Sequence, residues 1–179
     1  MTILTNRHQP AQVITFIEKW LAEHRQFIAL KEELLEASNP ILTEQQTYDQ
    51  ALQSLYEKVQ QFYVLFTLHT EEEERILLPA LTNILGEEKG LTTVFTCEHE
   101  QIAFHLRAFL NCAKPRSTKI PLAAAKSLIF HIIELDERLC EHIKKEESIV
   151  YPFVATEFHY KSIFYTDEHI QRDSNEYHV

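Results

Sequence analysis

The chain has 179 residues, 45% of them hydrophobic, and sets 27 acidic side chains against 17 basic ones for a formal charge of -10. That length fits one domain able to close its own core, and the acidic surplus excludes a broad positive field for nucleic acid or anionic lipid. Two glycines and six prolines supply too little turn chemistry for an all-β fold, so the composition points to helices.

The first predicted helix runs from Val13 to about Ala37, where Ile14, Ile17, Leu21, Ile28 and Leu35 recur at helical spacings. Ser38-Asn39-Pro40 is expected to stop it, and Thr43 with Gln46 resembles a capping box that starts a second helix running to about Leu85. Gly86 and Gly90 bracket the next turn. A third helix is predicted over roughly Thr92 to Cys112 and a fourth from near Pro121 to about Tyr151, where Pro152 bends or ends it. The expected architecture is an all-α antiparallel four-helix bundle over 1–155, with a short helix and polar tail over 156–179. These bounds carry one difficulty. They set His69 about 11 residues, or roughly 16 Å, below His24, unless the connection climbs in extended form or part of 40–52 is a separate segment.

The stretch MTILTNRHQP has no signal-peptide apolar run, and no segment approaches the roughly 18 apolar residues of a membrane helix. Cys97, Cys112 and Cys140 form no C-x-x-C pair and lie in apolar helical stretches, which reads as reduced core thiols in a cytoplasmic protein.

Compared with itself, the sequence shows a weak repeat. LHTEEEERILLPAL from Leu68 aligns with EHIKKEESIVYPFV from Glu141, matching His69 to His142, Glu73 to Glu146 and Pro79 to Pro152. Nearly the same shift brings EHRQ, with His24, onto EHEQ, with His99. The chain therefore reads as two helix hairpins, each giving one His and one His-x-x-x-Glu. Residues four apart share one helix face, so each such pair aims an imidazole and a carboxylate inward at one height. His24, His69, Glu73, His99, His142 and Glu146 then suit two metal ions, each taking two imidazoles, with both carboxylates free to bridge and positions left for water, an oxo group or a diatomic ligand. The other histidines fall outside this set. His105 is about 600° of helical turn from His99 and faces away from it, and His131 lies roughly 16 Å along the axis from His142. His8, His159, His169 and His178 read as solvated or capping residues, and Glu71 to Glu74 as a solvated face with only Glu73 in register.

At EHR, HTEEE with its trailing ILLP, CEHE, and HIKKEE with its trailing IVYP, the sequence resembles the haemerythrin-like, HHE cation-binding family over about residues 10 to 155. The resemblance implies a carboxylate-bridged pair of non-haem irons, possibly with an oxo or hydroxo bridge, at the six residues above. It also implies a small diatomic ligand or peroxide as partner in stress response or sensing. Oxygen-carrying members use five His. Here Ala103 stands where their third helix has its second His, and Glu146 follows His142 by four residues. The four-His, two-Glu set is closer to the di-iron domain of the iron-sulfur cluster repair (RIC) proteins, which makes iron storage or donation the alternative function.

Overall fold

The computed structural model describes residues 10–85, 90–115 and 117–157, with side chains for 15–82, 90–115 and 117–157. Among them are four long helices: α1 (Pro10–Leu42), α2 (Tyr48–Leu85), α3 (Leu91–Ala113) and α4 (Leu122–Lys145). A π-helical turn, Glu146–Val150, follows, with further helix over 151–157. Gly86 and the predicted tail beyond 157 lie outside the described residues. The chain divides into two compact units, Glu23–Lys144 and the terminal segments Met1–Ala22 with Lys145–Val179.

Within Glu23–Lys144 the helices form an antiparallel four-helix bundle. Its core is built from one stripe per helix: Phe27, Leu34 and Ile41; Leu52, Leu55, Val59, Phe62 and Phe66; Ile102, Leu106, Phe109 and Ala113; Ala125, Ile129, Ile132, Leu135 and Leu139. The three- and four-residue steps keep each stripe on a single face, and burying these faces against one another is the main stabilisation of the bundle. Polar pairs close the ring of neighbours. His69 meets Glu23 (α2 to α1), His99 meets Glu74 (α3 to α2), His142 meets Glu98 (α4 to α3) and Lys31 meets Asp136 (α1 to α4). At the opposite end from these histidine pairs, the Tyr48 hydroxyl donates to the Ile120 carbonyl at 3.2 Å and Lys119 lies over the Tyr48 ring.

The boundary between α1 and α2 differs from the sequence expectation, and the difference removes most of the height mismatch. Ser38-Asn39-Pro40 does not end α1, because a proline near the C-terminus forfeits one hydrogen bond without blocking those behind it. The Thr43 N–H still donates to the Asn39 carbonyl at 2.9 Å. The stop comes at Glu44, left-handed at φ 58, with the Gln45 N–H donating to the Pro40 carbonyl at 3.0 Å and the Glu44 N–H reaching the Ile41 carbonyl at 3.4 Å, a Schellman arrangement. Thr43 does not cap α2. Its hydroxyl donates backward to the Asn39 carbonyl, and α2 begins at Tyr48. His24 therefore stands 18 residues before the end of α1 and His69 21 residues after the start of α2. Residues equally distant from an antiparallel turn lie level, so the mismatch shrinks from about 11 residues to three, roughly 4.5 Å.

In the terminal unit, Trp20 is fully buried and stacks with Phe16 at 5.7 Å and Tyr151 at 6.0 Å. Pro152 does not end the last helix. The Tyr151 N–H donates to the Glu146 carbonyl five residues back, and this wider turn immediately before the proline gives its ring room that an α turn withholds.

Candidate metal centre

The candidate ligands of the bundle occupy core positions. His24 precedes Phe27 on the α1 stripe, His69 and Glu73 extend the α2 stripe past Phe66, His99 lies one turn before Ile102, and His142 follows Leu139. All five are at most 4% exposed, and Glu73 is completely buried. One layer of the bundle is thus polar where its neighbours are apolar, with Phe27 and Phe66 stacked edge-on against His69 and His99 as the adjoining layer.

Two groups form there. His24, His69 and Glu73 bring one ligand atom each to within 4.8 Å of one another, and so do Glu73, His99 and His142. Glu73 belongs to both. Its Oε1 lies 3.4 Å from His69 Nε2 and its Oε2 lies 3.5 Å from His99 Nε2, while His24 Nε2 and His69 Nε2 are 3.2 Å apart. The carboxylate separations exceed the 2.7–3.2 Å of an N–H···O hydrogen bond. They match the edge between two neighbouring ligands of one ion, since donors at about 2.1 Å subtending about 100° stand about 3.2 Å apart.

The electrostatics point the same way. Burial pushes the His142 imidazole down to about 4, helped by the neighbouring His99, and burial likewise lowers His69 despite the pull of Glu73 and Glu23. Neutral imidazoles cannot offset a buried carboxylate, and holding such a charge in a helical core costs several kcal/mol unless something positive stands beside it. A cation among these atoms supplies that charge. Imidazole nitrogen with carboxylate oxygen suits zinc and the later first-row metals, iron among them, rather than magnesium or calcium.

Three carboxylates outside the predicted ligand set take part. The Glu23 carboxylate meets His69 Nδ1 at 2.8 Å, Glu74 meets His99 Nδ1 at 2.9 Å and Glu98 meets His142 Nδ1 at 3.1 Å. Each fixes its ring with Nδ1 protonated and Nε2 turned inward as a lone pair, the outer partner that metal-bound histidines ordinarily have. Glu74 corrects the reading of Glu71 to Glu74: Glu73 alone is in register with the core, but its neighbour serves the next helix. A signal was present, since each of the three is adjacent in sequence to a candidate ligand. Each nevertheless serves a different histidine, on the following helix, and only the packing reveals that.

Glu146 belongs to the terminal unit, where it is 1% exposed and opens the π turn. His105 and His131 stand apart from the cluster and meet each other, as described below. Ala103 packs against the core. The cysteines are not core thiols: Cys97 and Cys112 are exposed and Cys140 is half-buried, because all three sit on the flanks of their helices rather than on the buried stripes. His8, His159, His169 and His178 lie outside the residues whose side chains are described.

The family model of the hemerythrin HHE cation binding domain matches residues 15–154. The chain belongs to that family. The match takes in all six candidate ligands and the three carboxylates around them, so this haemerythrin domain is a cation-binding domain by family and contains buried His and Glu groups that could hold a metal ion. No curated protein and no solved structure matches it. No described helix of the domain is long and apolar enough to cross a membrane.

Proposed function

We propose that this haemerythrin domain holds two non-haem irons, the first by His24 and His69, the second by His99 and His142, with Glu73 and Glu146 shared between them, and that the centre binds or reacts with O₂, NO or peroxide in cytoplasmic stress response or sensing. The observation that carries the reading is Glu73. One fully buried carboxylate offers a different oxygen to each imidazole group, as a bridge between two ions requires. Glu146 enters from the repeat, in which it matches Glu73, and from its place four residues after His142.

Iron, when bound, supplies redox chemistry and open coordination positions. The chain's own residues do the rest. Two shared carboxylates give a protein ligand charge of about −2, which favours the ferrous state and disfavours strongly oxidising forms. Glu23, Glu74 and Glu98 hold the ring orientations and raise the basicity of His69, His99 and His142. Phe27 and Phe66 keep the adjoining layer dry, so a small apolar diatomic is admitted more readily than a charged substrate.

The test is to reduce the protein anaerobically, add oxygen or NO, and follow the charge-transfer bands. Each iron has only two imidazoles, so oxygen is expected to oxidise the centre rather than bind reversibly, and NO to give a new spectrum. Full return of the reduced spectrum under vacuum without reductant contradicts the first expectation and supports oxygen carriage. Release of ferrous iron to a chelator on redox cycling supports donation instead.

A further inference from the structure

One cluster of ligand-type side chains is used by nothing described so far. His105 on α3 and His131 on α4 bring their Nδ1 atoms to 3.2 Å, with the rings 5.4 Å apart at 57°. Helical phase puts His105 at the flank of the α3 core stripe, where it is 7% exposed, and its distance from His99 is about 9 Å along the axis, so the pair shares no atom with the buried centre. The rings sit beside Phe104 and Phe130, which are 56% and 54% exposed and form ring contacts with both histidines. His105 also lines an open groove of about 440 Å³ with Glu100, Gln101, Phe104, Arg107 and Arg138, which gives solvent a path to the pair.

We propose that His105 and His131 form a two-imidazole chelating site for a divalent transition cation, clamping α3 to α4 independently of the buried centre. The separation is the main argument. Two nitrogens 3.2 Å apart, each at about 2.1 Å from an ion, subtend about 100°, between octahedral and tetrahedral angles, so the separation is that of two ligands of one ion. The chemical state agrees. Burial lowers both imidazoles, and their proximity lowers His105 further, which keeps them in the neutral, ligating form. Local charge does not select a hard cation, because the Glu134 carboxylate that bears on both rings accepts a hydrogen bond from Arg138 at 3.0 Å. Affinity then comes from imidazole nitrogen, and the order of preference is copper(II) over nickel and zinc. Water from the groove completes the coordination.

The experiment uses protein whose iron content has been measured. Titration with Ni²⁺ by calorimetry is expected to show about one equivalent beyond the resident metal, with unchanged iron and a raised melting temperature, and Cu²⁺ is expected to give an electron paramagnetic resonance spectrum with coupling to two nitrogens. In His131→Ala and His105→Asn the extra equivalent and the stabilisation disappear, while the iron content stays at the parent value. His131 is the less buried of the two, so its variant decides the matter if the other does not fold. Absence of the extra equivalent in the parent, or its retention in His131→Ala, overturns the proposal. Because iron is measured separately, the outcome does not depend on the nature of the buried centre.

Discussion

In the buried layer three imidazoles give Nδ1 to a carboxylate of the preceding helix and turn Nε2 inward, whereas His105 and His131 turn Nδ1 towards each other at the edge of a groove. Both places bring histidines within 3.2 Å, yet their chemistry differs. A carboxylate behind the ring fixes tautomer, direction and basicity before any ion arrives, and a shared buried carboxylate in front adds negative charge that a cation must neutralise. The pair at the groove edge has geometry alone. The buried layer is therefore suited to a resident ion and the pair to an exchangeable one.

The harshest test of that contrast is Glu73→Ala. Removing the one carboxylate that both groups share is expected to abolish nearly all bound iron in elemental analysis, while Ni²⁺ binding at His105 and His131 persists. Full iron occupancy in this variant excludes a bridging role for Glu73. Acid comes next. His142 lies at about 4 in the fold and near 6.5 in an unfolded chain, so between those values the unfolded state binds more protons and stability falls with falling pH. The metal-free domain is expected to lose on the order of 3 kcal/mol through this group alone between pH 6.5 and 4, and none above that window. Denaturant melts of the apo-protein across pH check it, and a flat profile contradicts the burial argument.

Smaller effects separate the outer carboxylates. Glu98→Ala and Glu23→Ala are expected to weaken metal binding roughly 10- to 100-fold, because their side chains are the more enclosed, and Glu74→Ala by less because that group is 41% exposed. Chelator competition measures all three, and equal losses would remove exposure as the cause. Smallest of all, alkylation of Cys97 and Cys112 in the folded protein is expected to proceed without changing the absorption spectrum, since both are exposed. Mass spectrometry alongside the spectrum reads this directly.

Much of this was legible from residues alone. The stripes of the four helices, the repeat that pairs His69-Glu73 with His142-Glu146, and the separation of His105 and His131 from that set all follow from helical period. What escaped depends on hydrogen bonds that composition does not encode. The proline at 40 reads as a stop, yet the left-handed Glu44 four residues later ends α1, and only with that bound do His24 and His69 come within about one turn of the same height. Likewise Pro152 follows a π turn that accommodates it. Glu23, Glu74 and Glu98 look solvated on their own helices, and their function lies across the seam. The same holds for His105 and His131, each unremarkable until α3 and α4 are packed together.

The central claim is that the buried layer is a two-iron site bridged by Glu73, and Mössbauer spectroscopy of protein expressed with ⁵⁷Fe, with elemental analysis of the same sample, tests it most directly. The account predicts about two irons per chain in magnetically coupled form, lost together in Glu73→Ala. A single uncoupled iron, or one zinc with no iron, contradicts it.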